Sequence, residues 1–188
     1  VRERHEGSGL PSEVVNELVA LPTDGSEEPR ILTGGHDFYS TPRTSPDGSR
    51  LSFLAWDLPW MPWDGCELFV ADLAGDGTFG EPVHVAGRQG EESIWQPEWS
   101  SEGHLVFASD RSGWWNLERI KDGDRSVLHE AEAEFGYPAW VFGTRSFAFL
   151  GDWRMFCAYE SEGRTRFGIL DPETGDFEDV DVPHDAWW

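Results

Sequence analysis

Three stretches of this chain repeat one plan, and that repetition narrows the folds open to it. The first reads YSTPRTSPDGSRLSFLAWD, CELFVADLAGDG, then EPVHVAG. The second reads IWQPEWSSEGHLVFASD, WNLERIKDG, then RSVLHEA. The third reads FGYPAWVFGTRSFAFLGD, MFCAYESEGRTRFGILDPETG, then FEDVDVP. Pro42, Pro97 and Pro138 align, at a spacing of roughly 40–55 residues. Each unit reads as four short strands. Strand A leads into the turn SPDG (Ser45–Gly48) or SSEG (Ser100–Gly103), where Pro and Gly suit a tight reversal and Ser, Asp or Glu bond the turn backbone. The third unit lacks such a turn. Strand B is apolar: RLSFLAW, HLVFAS, SFAFL. Strand C alternates, so that in ELFVADL Leu68 and Val70 share one face while Phe69 and Ala71 take the other. It ends in GDG, KDG or PETG, and strand D follows.

A unit of this length with four antiparallel strands is the signature of a β-propeller blade. The expected fold class is therefore all-β, a partial β-propeller of four-stranded antiparallel blades. Residues 1–34 supply the end of one blade, with strand C in VVNELVALP and strand D in EPRILTGG. Blades follow at 35–90, 91–134 and 135–182, and 183–188 begin the next strand. Pro11–Leu21 also carries a helix cap and apolar spacing, but strand C and its turn fit the repeat better. About three and a half blades fall short of the roughly four to eight of a typical ring. The expectation is a fragment, in keeping with the missing initial Met, or a partial ring closed by a partner, a homo-oligomer of half-rings being one form.

Among the 188 residues, 36 acidic against 14 basic give a net charge of −22, which repels phosphate backbones and anionic membranes. No nucleic acid and no membrane partner is expected. A solvated surface and adaptation to high salt both fit this acidity, and the single lysine, Lys121, does not separate them. Cys66 and Cys157 stand far apart without a CxxC or Cys/His cluster, so no zinc site is expected, and two lone thiols suit a reducing, cytoplasmic setting. VRERHEGSG is no signal peptide, and no apolar run is long enough to span a bilayer.

Strand direction sorts the loops. In an up-and-down blade the A–B and C–D turns share one side of the ring. B–C loops and D–A links share the other. The second side then carries WDLPWMPWDG, SDRSGWWN and GDWRMF as B–C loops, with GGHDFYS, GRQGEESIW and EAEAEFGY as links. Loops on a rigid scaffold are where function concentrates, and aromatics beside carboxylates suit an interface or a cationic ligand. The candidate substrate-binding or domain-contact residues are Trp60, Trp63, Asp64, Glu91, Glu92, Trp95, Arg111, Trp114 and Trp115. The Glu91-Glu92 pair, expected near the central channel, suits capture of a peptide's free amino terminus. Glu132 and Glu134 offer a weaker version. Asp110-Arg111 suits pinning of a B–C loop. No serine has the Gly-x-Ser-x-Gly setting, the six histidines are scattered, and P-loop, dinucleotide, HExxH and EF-hand patterns are absent. No catalytic residue, metal or cofactor is expected in this chain.

FYSTPRTSPDGSRLSFLAWD, MPWDGCELFVADL, ESIWQPEWSSEGHLVFASDRSGWWNL and EAEFGYPAWVFG resemble the propeller of bacterial prolyl oligopeptidase-family serine peptidases, in the dipeptidyl aminopeptidase/acylaminoacyl-peptidase group. The resemblance runs from about Glu13 to Asp171. It implies a propeller that restricts access to short peptides and helps bind their amino termini. It also implies an α/β-hydrolase domain carrying Ser, Asp and His, which this sequence does not contain. By this reading the chain is a non-catalytic peptidase accessory domain, inactive alone. Two alternatives stay open: a stand-alone propeller scaffold for protein–protein interaction, and a carbohydrate binder that stacks a sugar on Trp60 or Trp63.

Overall fold

A computed structural model describes residues 1–5, 7, 9–10 and 13–183. Of the strand start expected at 183–188, all but residue 183 lies outside the described set, as do His184, Glu6, Ser8, Pro11 and Ser12. The described residues form strands and loops without an α-helix. Val14–Ala20, for which a helix was the alternative, is a strand.

The strands make four antiparallel sheets, each in meander order. A three-stranded sheet holds β1 (Arg2–His5), β2 (Val14–Ala20) and β3 (Arg30–Gly34). Blade 1 holds β4 (Phe38–Thr44), β5 (Arg50–Trp56), β6 (Glu67–Asp72) and β7 (Val83–Ala86). Blade 2 holds β8 (Ile94–Trp99), β9 (Leu105–Ser109), β10 (Asn116–Lys121) and β11 (Asp124–His129). Blade 3 holds β12 (Phe147–Phe149), β13 (Met155–Ser161), β14 (Arg164–Leu170) and β15 (Phe177–Val180). This is the expected partial propeller.

The core lies between neighbouring sheets, so blades 1 and 2 bury both faces. Side chains alternate along a strand with period two. Leu51, Phe53 and Ala55 of β5 therefore pack toward β2, while Leu54 and Trp56 pack toward blade 2. The β6 alternation follows the sequence reading: Leu68 and Val70 join Ile94, Leu105 and Phe107, and Phe69 joins the opposite cluster. Between blades 2 and 3, Trp95, Val106, Leu117, Phe135, Phe147, Met155 and Leu170 form the largest cluster. The inner strands β4 and β8 run side by side, and Arg43 of β4 bonds Glu98 of β8 at 3.1 Å.

Pro42 and Pro97 share a local cause. Each follows a residue of positive φ, Thr41 (51°) or Gln96 (48°), at a register shift in the inner strand. Such a bulge leaves room for a proline that cannot join the ladder. Gln96 uses its bulge to join two blades. Its Oε1 accepts from the Ser146 N–H at 2.7 Å, and its Nε2 donates to the Phe147 carbonyl at 2.8 Å.

Blade 3 corrects the sequence reading. SFAFL was expected as strand B, with strand A around Pro138. In the structure Phe147–Phe149 is the innermost strand, and 137–146 forms no strand. The single stretch expected as strand C splits into β13 and β14 across Glu162-Gly163, whose φ values of 53° and 74° suit a tight hairpin. Gly151–Arg154 is consequently an A–B turn on the plain side, not a B–C loop. Its bonds, Leu150 N–H to Arg154 O and Trp153 N–H to Leu150 O, repeat those of Ser100 to His104 and Gly103 to Ser100. Trp153 holds φ 78°, where the other two turns place Gly48 (72°) and Gly103 (79°). A tryptophan at a left-handed position hides the turn from a search for glycine.

Candidate functional site on the loop side

The loop after β5, residues 57–65, is anchored at its first residue. Asp57 accepts from the Asp37 N–H at 2.6 Å and from Gln89 Nε2 at 3.1 Å, and pairs with His36 Nδ1 at 2.9 Å. Burial pushes its carboxyl up, but the bonds from Asp37, His36 and Gln89 outweigh burial and hold it below 3.8. The Leu58 N–H donates to Asp37 at 2.8 Å. The far end closes where the Cys66 N–H donates to the Glu92 carbonyl. Gly65 lies against the Gln89-Gly90 backbone with no space for a Cβ, and the Trp60 ring covers Gly90. Asp64 accepts from the Met61 N–H inside the loop and is itself exposed.

A second segment meets this loop from another blade. After β11 the chain takes a long link, 130–146, before entering β12. Tyr137 packs edge-on against Trp95. The link then crosses the inner strands to reach blade 1. Trp140 lies 4.1 Å from Trp63 between ring centroids, and Phe142 lies 6.1 Å from Trp56. Trp140, Val141 and Phe142 are nonetheless 74%, 66% and 61% exposed, and Leu58, Trp60 and Met61 of loop 57–65 are exposed as well. Beneath this lip a small cavity is lined by Ser40, Thr41, Ile94, Gln96 and Thr144.

The acidic pair divides. Glu91 points to solvent and pairs loosely with Arg88 at 3.2 Å. Glu92 turns into the wedge between blades 1 and 2 rather than toward the channel. Its carboxylate accepts from Arg125, from the Ser109 hydroxyl at 2.6 Å and from the Gly87 N–H at 3.2 Å. Arg125 Nε also donates to Glu118, which is 1% exposed and accepts from Arg111 Nε, both at 2.6 Å. The result is a chain of alternating charge along the wedge, opening on a cleft of about 430 Å³ at His84, Arg88 and Glu91.

The loop after β9 is pinned as its Asp110-Arg111 sequence suggested. Asp110 accepts from the Ser93 N–H at 2.8 Å while Arg111 holds Glu118. Trp115 is fixed by the next link: its N–H donates to Glu134 at 2.9 Å, and Phe135 N–H donates to its carbonyl. Trp114 is exposed, and Trp95 is a core residue at 5% exposure. The candidates thus separate into an aromatic group (Trp60, Trp63), an ion-paired group (Glu92, Arg111), packed residues (Trp95, Trp115) and exposed ones (Asp64, Glu91, Trp114). Trp140, Val141 and Phe142 are not among the sequence candidates, because the alignment of Pro138 with Pro42 and Pro97 assigns this stretch to strand A. Among the described residues no group of three or more His, Cys, Asp or Glu is placed to hold a metal, and no helix is long and apolar enough to cross a membrane.

No protein-family model and no curated protein matches this chain. Solved structures do. A puromycin hydrolase shares 40% identity over 99% of this chain, with a TM-score of 0.90. One of its structures is complexed with PGG. A Mycobacterium tuberculosis puromycin-hydrolyzing peptidase shares 38% identity over 93% of the chain, with a TM-score of 0.84. Prolyl oligopeptidase B from Galerina marginata, at 15% identity and a TM-score of 0.70, shares the fold. The chain spans 29% of the puromycin hydrolase and 27% of the mycobacterial peptidase. With its all-β blades matched over nearly its whole length, this chain is similar to a β-propeller segment of puromycin-hydrolysing peptidases and shares the fold of prolyl oligopeptidases.

Proposed function

We propose that this chain is the non-catalytic propeller part of a serine peptidase, gating and orienting short peptides or aminoacyl amides on its loop side. The chemistry, acyl transfer by a Ser-His-Asp triad, belongs to an α/β-hydrolase domain outside the chain. The observation that carries this reading is the convergence of loop 57–65 and link 130–146 into one exposed rim at the inner strands. The similarity to puromycin-hydrolysing peptidases supports it and makes aminoacyl amides the first substrates to try. Glu91, exposed and paired only with the surface Arg88, is the carboxylate better placed to meet a peptide's ammonium group than Glu92, which the wedge encloses.

The test is incubation of the chain with short peptides and with aminoacyl and dipeptidyl chromogenic substrates. Saturable peptide binding without turnover is expected. Robust turnover sensitive to serine-directed inhibitors overturns the reading, as does absence of any peptide binding. The outer face of blade 3, with Phe156 and Ile169 in register, is the surface on which a second copy or a further blade closes the ring. Light scattering showing a stable monomer at all concentrations excludes the second copy.

A further inference from the structure

The cleft between the outer strands of blades 1 and 2 carries a charge pattern that gating does not require. About 430 Å³ in volume, it is lined by the end of β7 and its following link, by Arg111 and by Arg125 of β11. That is the size of a small-ligand site. In a chain with 36 acidic residues against 14 basic, three arginines, Arg88, Arg111 and Arg125, meet on it. They differ in what they leave available. Arg125 is saturated: its Nε donates to Glu118 and its terminal nitrogens to Glu92 and Ser109. Arg111 uses only Nε, on the buried Glu118 at 2.6 Å, and its Nη1 and Nη2 make no hydrogen bond to another described residue. The Asp110 carboxylate beside it is fixed on the Ser93 N–H, so the guanidinium fork is pre-organised. Arg88 sits on a closed turn, its carbonyl accepting from the Glu91 and Glu92 N–H groups, and its side chain pairs with the exposed Glu91 at 3.2 Å.

The balance of charge selects the ligand. Arg125 and Arg111 match Glu92 and Glu118, and Arg88 matches Glu91, so these arginines and glutamates cancel within a chain of net charge −22. Such a chain repels anions at a distance, polyanions most. A ligand with one carboxylate and one ammonium is neutral overall and escapes that repulsion. At the walls its carboxylate can lie bidentate on the Arg111 fork. The exposed Arg88–Glu91 pair contributes little in water and opens readily, Arg88 to the carboxylate and Glu91 to the ammonium. We propose that the cleft binds an amino acid or short peptide with both ends free, its carboxylate on Arg111 and Arg88 and its ammonium on Glu91. An aminoacyl amide lacks the carboxylate and acquires it when water cleaves the amide, so the cleft favours products over substrates of the reaction proposed above. It rests on that peptide-handling reading and adds product binding to it.

Calorimetric titration of the chain with glycylglycine, glycylglycinamide, N-acetylglycylglycine and inorganic phosphate tests the site. Glycylglycine binds tightest. Removing either charged end lowers affinity roughly tenfold. Phosphate, the bare anion, shows no measurable binding. Arg88→Gln and Arg111→Lys each weaken glycylglycine several-fold. Arg88→Gln leaves the melting temperature unchanged because the side chain is exposed, so a loss of binding there is not a loss of fold. In the labelled chain glycylglycine shifts the amides of 84–92 and 109–111. Equal affinity for glycylglycine and its amide overturns the site, as does an Arg88→Gln/Arg111→Lys double variant that binds as before. So does phosphate binding as tight as that of glycylglycine, or shifts confined to 57–65 and 137–144. If glycylglycinamide still binds, the peptide-handling reading survives that result; if no peptide binds, both fall.

Discussion

Trp63 and Trp140 come from a B–C loop and a D–A link of different blades, and their ring centroids lie 4.1 Å apart. The contact turns two surface segments into one rim. An aromatic pair contributes about 0.5–1.5 kcal/mol beyond area burial. Because Trp140 is largely exposed, Trp63→Ala should cost about 1 kcal/mol or less in global stability. Its main effect should be local. Amide hydrogen exchange at 139–144 should quicken while that of β5 and β9 stays unchanged. Unaltered exchange at 139–144 would show that the pair does not hold the link.

The wedge between blades 1 and 2 should be the more costly place to cut. Arg125→Met leaves Glu92 and Glu118 buried without their shared partner, a loss of about 3–5 kcal/mol in comparable cases. Urea denaturation measures it. A change under about 1 kcal/mol, the range of surface pairs, would place the network at the solvent boundary instead.

The same variant should move the acid limit of stability. Burial alone pushes the Glu92 carboxyl up, but the hydrogen bonds from Arg125 and Ser109 and the Arg125 charge more than reverse this and hold it below 4.5. A carboxyl lowered on folding stabilises the fold above its unfolded pKa, and that gain is lost as pH falls through the folded value. Without Arg125 the folded value rises, so the acid-unfolding midpoint should shift to higher pH. An unshifted midpoint would contradict the pairing.

Gly65→Ala tests how the rim is seated. A Cβ at Gly65 strikes the Gln89-Gly90 backbone, which cannot yield as a flexible side chain would. A cost of about 1–3 kcal/mol is expected, as for other overpacked sites, read as a fall in melting temperature. A neutral substitution would mean that the loop does not rest on the link.

Both thiols should be silent in the native chain. Burial pushes Cys157 up to about 12, and burial with the Glu67 charge pushes Cys66 higher. A thiol reagent at pH 8 should label neither until denaturant exposes both.

The residues show why blades 1 and 2 were legible and blade 3 was not. Turns at Ser45–Gly48 and Ser100–Gly103 announce themselves by glycine, and β6 by its alternation. In blade 3 the corresponding turn places Trp153 at φ 78°, and an apolar link imitates a strand. Periodicity cannot tell an apolar loop from an apolar strand when the partner lies in another blade. Sequence order also put Glu91 and Glu92 together. The turn closed by the Glu92 N–H on the Arg88 carbonyl leaves Glu91 at the surface, and the distant Arg125 draws Glu92 inward. The aromatic loop 57–65 was visible as a candidate, but its counterpart at 140–142 depended on a contact between blades.

The most direct test of the loop side as the peptide-handling face is chemical-shift mapping of the labelled chain during titration with a short peptide amide. Perturbations should concentrate at 57–65, 88–92, 110–115 and 137–144. Perturbations centred instead on the turns at 45–48, 100–103 and 151–154 would contradict the account, because those turns lie on the opposite side of every blade.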